Sequence, residues 1–201
     1  MKKSIIKLIA LTLLLALFLP VLGSCTYDVY VVEIKVKDYG SIKVELDAVS
    51  APKTVANFIR LVEDDFYDGL TFHRVKENFM IQGGCPNADG TGDGPRTVYG
   101  EFTANGYYGN NISHVRGIIS MARSNDPNSA SCQFFITNAD ARASLDGSYA
   151  AFGYVIEGMD VVDAITKKTG PLGEKDSYTI KDKSKQAVIE DIVILDRYNV
   201  D

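Results

Sequence analysis

Thr71-Phe72-His73-Arg74-Val75-Lys76-Glu77-Asn78-Phe79-Met80-Ile81-Gln82-Gly83-Gly84 is the stretch on which the fold turns. It contains two short β-like runs, Thr71 to Val75 and Phe79 to Gln82. A strand sends successive side chains to opposite faces, so Met80 and Gln82 share a face while His73 and Arg74 part. Further along, Gln133-Phe134-Phe135 repeats the pattern, with Gln133 and Phe135 together. Each strand thus sets one amide beside one large apolar side chain. An amide facing a core is costly unless paired. Two readings stay open: a groove in which polar groups meet a ligand held by apolar ones, and a satisfied network inside the core.

Working outward, Gly117 to Ala122 and Cys132 to Thr137 are also β-like, and the loops between the runs are rich in Gly, Asn, Asp and Pro. That spacing suggests a sheet wrapped on itself. Upstream, Val29 to Val36 and Ile42 to Leu46 flank Lys37-Asp38-Tyr39-Gly40 and read as a hairpin. Ser50 is expected to cap a helix with Pro52 in its first turn, and Val55, Phe58, Ile59 and Val62 form one apolar stripe. Downstream, a second helix is expected from Glu157 to Thr166, with Met159, Val162 and Ile165 on one side, and a last strand from Ala187 to Leu195. The class is mainly β, with no internal repeat.

At 201 residues the chain suits one compact domain, expected over 29–197. A hydrophobic fraction of 46% and a charged fraction of 23% exclude disorder and a multi-span membrane protein. Lys2, Lys3 and Lys7 precede an apolar run from Leu8 to Leu22, shorter than the roughly 20 residues a permanent span wants. With Pro20 and small residues at its end, 1–24 reads as an export signal. Leu22-Gly23-Ser24-Cys25 resembles the lipobox of bacterial lipoproteins, which implies acylation of Cys25, a tether of only 25–28 and an extracytoplasmic, lipid-anchored location.

Cleavage there leaves 18 Lys and Arg against 26 Asp and Glu, a formal net charge of −8. An acidic domain is a poor partner for nucleic acid and for anionic lipid. Membrane contact is therefore expected through the lipid alone, and the domain is expected to be a monomer.

His73 and His114 lie far apart, and no acid or thiol cluster has metal-ligand spacing, so neither metal nor cofactor is expected. Gly90-Thr91-Gly92-Asp93-Gly94 lacks the Lys-Ser/Thr of a phosphate loop and reads as a tight surface loop. No serine or cysteine has a convincing base and orienting acid for nucleophilic catalysis.

Phe72-His73-Arg74-Val75 followed by Asn78-Phe79-Met80-Ile81-Gln82-Gly83-Gly84 resembles the signature of the cyclophilins. Ala51 to Phe58, Gly90-Thr91-Gly92, Gly117 to Ala122, Gln133-Phe134-Phe135-Ile136 and Leu145-Asp146-Gly147 match further segments in order. The resemblance spans Val29 to Leu195 and implies a closed eight-stranded antiparallel barrel capped by two α-helices. It also implies cis/trans isomerisation of X-Pro bonds in exported polypeptides, without a cofactor. A noncatalytic peptide-binding chaperone module using the same groove is the alternative.

By the same resemblance Arg74 is the donor to the prolyl nitrogen, and Gln82 orients it and touches the substrate backbone, with Gln133 beside it. Phe79, Met80, Phe135 and Leu145 match the proline pocket, and Ala122 lines the adjoining groove. His73 is kept among the substrate-binding candidates, although its side of the strand favours a structural hydrogen bond. Arg123 stands where many members have Asn, and its charge is expected to favour acidic neighbours of the proline. Ser144 replaces the pocket-edge Trp of drug-sensitive members and Tyr149 their His, so weak cyclosporin binding is expected.

In the family barrel the strand ending at Gln82 lies near the one beginning at Gln133. With Cys25 lipidated, Cys85 and Cys132 remain as a pair outside the cytoplasm and are expected to form a disulfide. The alternative is that Gly83 and Gly84 carry Cys85 off the ladder and leave both thiols free.

Overall fold

A computed structural model of the chain describes residues 27–200, so the expected signal 1–24 and Cys25 lie outside the described residues. Eight strands form the frame: β1 (Val29–Val36), β2 (Gly40–Asp47), β3 (Thr71–Lys76), β4 (Met80–Gly83), β5 (Ile118–Met121), β6 (Phe134–Thr137), β7 (Ala151–Glu157) and β8 (Ala187–Tyr198). They close in the order β1-β2-β7-β5-β6-β4-β3-β8, and every pairing is antiparallel. Closure leaves no long unpaired edge. Three α-helices accompany them among the described residues: α1 (Pro52–Glu63), the single turn α2 (Arg142–Leu145) and α3 (Met159–Thr169). Among the described residues no helix is long and apolar enough to cross a membrane.

The stripe expected on α1 is buried: Val55, Phe58, Ile59 and Val62 all face the core. Phe58 meets Phe134 edge-on at 5.5 Å and lies 5.3 Å from Phe152, and Tyr67 and Phe72 each meet Phe134 edge-on. Aromatic edges against faces add to the burial of area. From α3, Val162 and Ile165 are fully buried and Met159 packs partly against the same core.

Two local expectations need correction, and one strand is added. Ser50 does not cap α1; it is held by Asp47, whose Oδ1 accepts from the Ser50 amide at 2.9 Å and whose Oδ2 accepts from its hydroxyl. The first-turn amides of α1 are capped from far away by Glu101, which is fully buried. Its carboxylate accepts from Lys53 N at 3.0 Å, Thr54 N at 2.8 Å and Thr54 Oγ1 at 2.7 Å. An anion there also meets the positive end of the helix dipole.

The added strand is β7, whose apolar run Gly153 interrupts. A side chain at 153 would bring its Cβ within 2.2 Å of the Glu45 carbonyl, so the close β2–β7 approach requires glycine. Finally, α3 begins at Met159, not at residue 157, because Gly158 takes a left-handed φ of 92°.

Candidate active site

On the barrel wall, β3, β4, β5, β6 and the segments around α2 border a cleft of about 400 Å³. Arg74, Phe79, Met80, Gln82, Ala122, Arg123, Phe135, Leu145, Tyr149 and His73 all line it. Gln133 lines the adjoining depression, together with Ser129 and Ser131. Residues separated by up to 76 positions in the chain are thus brought onto one face, and all the substrate-contact candidates meet there.

The register explains this. Arg74 pairs with Gln82 across β3 and β4, and Gln82 pairs with Phe135 across β4 and β6. Their side chains therefore stand in one row on the outer face of the wall. Arg74 Nη1 donates to Gln82 Oε1 at 3.0 Å, and Gln82 Nε2 donates to Gln133 Oε1 at 2.9 Å. Gln133 Nε2 donates in turn to the carbonyls of Gly90 and Gly92, at 3.0 and 2.9 Å. The satisfied-network reading and the groove reading of the two amides both hold: the network exists, and it borders the cleft.

Arg74 is anchored a second time, by Nε to the Ser177 carbonyl at 2.9 Å. The sequence offered no sign of this partner. Segment 174–180 lies along the open half of β3, where Val75 N donates to Tyr178 O and Ile180 N to His73 O. Strand β8 pairs β3 only at Thr71 and Phe72, so this segment fills the rest of the seam. With Nε and Nη1 committed, Nη2 makes no hydrogen bond among the described residues and is free to donate. Burial pulls the Arg74 pKa below its usual value, with Tyr149 and Tyr178 opposing. A guanidinium stays charged at neutral pH regardless.

Beside this donor, Met80, Phe135, Ala141 and Leu145 form a buried apolar cluster, with Phe79, Ala122 and Tyr149 packed against it. Tyr149 meets Phe135 edge-on at 5.9 Å, and His114 stacks behind Phe135 at 6.1 Å. His114 is held by Asp146 through its ring Nδ1 at 2.8 Å and by Ser120 through Nε2 at 3.0 Å, so it backs the pocket floor. No carboxylate is among the residues lining the cleft.

The expectations for His73 and Arg123 change in detail. His73 makes no side-chain hydrogen bond: a bulge between Phe72 and Arg74 breaks the alternation, and both ring nitrogens are buried without a partner. Burial lowers its pKa to about 4. Arg123 is not an open charge; Nε and Nη2 donate to the Ser148 carbonyl at 3.0 and 2.9 Å and Nη1 to that of Ser124. Its guanidinium also covers the rings of Tyr149 and Phe102. Ser144 is exposed on α2 and bonds back to the Ala141 carbonyl at 3.1 Å.

Cys85 and Cys132 are not bonded to each other; both are free and buried. Gly84, at a left-handed φ of 79°, turns the chain off the ladder, and Cys85 Sγ accepts instead from the amides of Gly90 and Gly92. Burial pushes the Cys132 thiol up to about 11.

A closed antiparallel barrel whose wall holds one braced cation, with a spare donor, against an apolar slot defines a class: an enzyme that grips an apolar group and acts on it by hydrogen bonding. The chain belongs to the cyclophilin-type peptidyl-prolyl cis-trans isomerases, since the family described as "Cyclophilin type peptidyl-prolyl cis-trans isomerase/CLD" matches residues 31–196. It is 38% identical over 145 residues to the human "Peptidyl-prolyl cis-trans isomerase-like 3", covering 72% of this chain and 86% of that one. To the Arabidopsis thaliana "Peptidyl-prolyl cis-trans isomerase CYP18-1" it is 42% identical over 134 residues, covering 66% and 81%. A crystal structure of a Cryptosporidium parvum cyclophilin type isomerase, obtained in the presence of the dipeptide Ala-Pro, aligns with a TM-score of 0.70 at 31% identity, covering 83% of this chain and 99% of that one.

Proposed function

We propose that the protein isomerises X-Pro bonds of exported polypeptides while held at the outer face of a membrane by a lipid on Cys25. The observation that carries the catalytic part is the doubly anchored Arg74 with Nη2 free beside the apolar cluster. Rotation about a prolyl amide meets a barrier of about 18–20 kcal/mol set by resonance. Twisting the bond localises the lone pair on the prolyl nitrogen. A fixed donor aimed at that nitrogen binds the twisted amide better than either planar form, and this preference lowers the barrier. No covalent bond is made or broken.

In this reading Met80, Phe135 and Leu145 hold the pyrrolidine ring, Phe79 and Tyr149 close its edge, and the backbone at Ala122 and Arg123 aligns the peptide. Gln82 and Gln133 keep Arg74 from following the substrate as it turns. The Cryptosporidium relative studied with Ala-Pro supports a proline-bearing ligand for the cleft. The export part rests on the charge and apolar pattern of 1–24 and on the lipobox resemblance at Cys25.

Two measurements test it. Two-dimensional NMR exchange on a prolyl peptide is expected to show catalysed cis/trans interconversion with no added metal; binding without exchange would replace the enzyme by a peptide-binding module. Mass spectrometry of the mature N-terminus is expected to find an acylated Cys25, and an unmodified first residue elsewhere would overturn the anchoring.

A further inference from the structure

We infer that Cys85 is a positioning residue for the isomerase site: its sulfur fixes the Gly90–Gly92 loop, and through Gln133 and Gln82 that loop sets where the free donor of Arg74 points. The inference rests on the reading of Arg74 given above.

Cys85 is fully buried, and its Sγ accepts from Gly90 N at 3.2 Å and from Gly92 N at 3.3 Å. These are ordinary lengths for a sulfur acceptor, and Gly92 N has no other partner among the described residues. The same two glycines turn their carbonyls to Gln133 Nε2. The loop is thus gripped at its amides by the sulfur and at its carbonyls by Gln133.

Polarity then propagates outward. Two carbonyls facing Gln133 require its amide nitrogen there, because the reversed amide would set oxygen against oxygen. That leaves Gln133 Oε1 to accept from Gln82 Nε2, and Gln82 Oε1 to accept from Arg74 Nη1. Every link has only one workable orientation once the loop is in place. Without an acceptor at 85 the buried amide of Gly92 is left unpaired, a state that folded chains avoid by moving the backbone, and the more exposed amide of Gly90 loses the sulfur that holds it in place. The movement reaches Arg74 through three hydrogen bonds.

The alternative is that Cys85 merely fills space, as small buried cysteines do. Cys132 supplies the comparison: it is equally buried, but its sulfur receives only a 3.9 Å contact from Ser131 Oγ.

The test uses the full chain and its Cys85→Ala, Cys85→Ser and Cys132→Ala variants, with an Ala-Pro tetrapeptide as probe. Turnover comes from NMR exchange, affinity from peptide titration, and geometry from the ¹⁵N–¹H resonances of Arg74 Nε and of the Gln82 and Gln133 amides. Cys85→Ala is expected to lower turnover about tenfold, in line with the cost of a misplaced group, with peptide affinity within about twofold. The three side-chain resonances should move together. Cys85→Ser, which keeps an acceptor, should regain most of the loss, and Cys132→Ala should change neither turnover nor resonances.

If Cys85→Ala does not fold, Cys85→Val, which fills the volume without a comparable acceptor, is expected to show the same loss. Full turnover in a folded Ala or Val variant, no recovery with Ser, or an equal effect from Cys132→Ala overturns the inference. Failure of the Arg74 reading is seen separately, as full turnover in Arg74→Ala.

Discussion

Gln82 donates to Gln133 across 51 positions of sequence at 2.9 Å, and the direction of that bond decides which atom of Gln82 faces Arg74. Gln82 Oε1 is left for the guanidinium, which is what a cation needs. A reversed pair would put an amide N–H against Arg74 and push it aside.

Arg74→Ala is therefore expected to cut kcat/KM by about 10²-fold, the usual cost of losing one donor that acts on the transition state. Peptide affinity should change far less, because the planar substrate gains little from the donor. NMR exchange and titration on the same sample check both. Arg74→Lys should not rescue, since one ammonium cannot hold Ser177 O and Gln82 Oε1 and still donate to the substrate.

Gln133→Glu turns a carboxylate toward the carbonyls of Gly90 and Gly92 and removes both donors. The expected outcome is a loss of about 2–4 kcal/mol of stability at neutral pH, from two broken bonds and a buried carboxylate whose second oxygen faces two carbonyls, with only the Gln82 amide left to donate to it. Urea unfolding measures it. The loss should shrink as pH falls toward about 4 and level off there, because a buried carboxyl takes up its proton above the ordinary carboxylate range while the unfolded one takes it up at about 4; a pH-independent difference would contradict the proposed cause.

His73 is fully buried with no partner on either nitrogen, and burial lowers its pKa to about 4. Its ring is neutral in the fold, so the unfolded chain binds the proton first as pH drops. The stability this represents is fully present above about pH 6.5, declines as pH falls, and is gone once pH passes below about 4. Its size is about 3 kcal/mol from the shift. Replacing the ring by Leu should flatten the pH dependence between those limits; parallel curves for wild type and His73→Leu would refute the assignment.

Glu101→Ala removes three hydrogen bonds to the first turn of α1. A loss of about 2–4 kcal/mol is expected, above that of an ordinary side-chain cap because the acceptor is charged and buried. The midpoint of urea unfolding reads it. Turnover at low temperature should be little changed, since α1 does not border the cleft.

Much of this was legible along the chain. Seven of the eight strands show as short apolar runs, and the stripe of Val55, Phe58, Ile59 and Val62 announces α1, because periodicity is a local property. The contact set was legible only through the resemblance: Arg74 alone reads as a surface charge, and the Phe-His-Arg-Val setting is what singles it out. Strand β7 was not legible, since the reason for Gly153 lies in the backbone of β2, more than a hundred residues away.

What the sequence determined by itself, then, is the order of elements, the one apolar face of each and the family that those residues spell. Only the tertiary structure decided who partners whom: Glu101 as cap in place of Ser50, Ser177 as second anchor of Arg74, the Ser148 carbonyl for Arg123, and Gly90 and Gly92 for Cys85 in place of Cys132. The physical reason is that burial follows from local composition, whereas a hydrogen bond requires two groups to meet within about 3 Å, and closing the barrel is what brings distant groups that near.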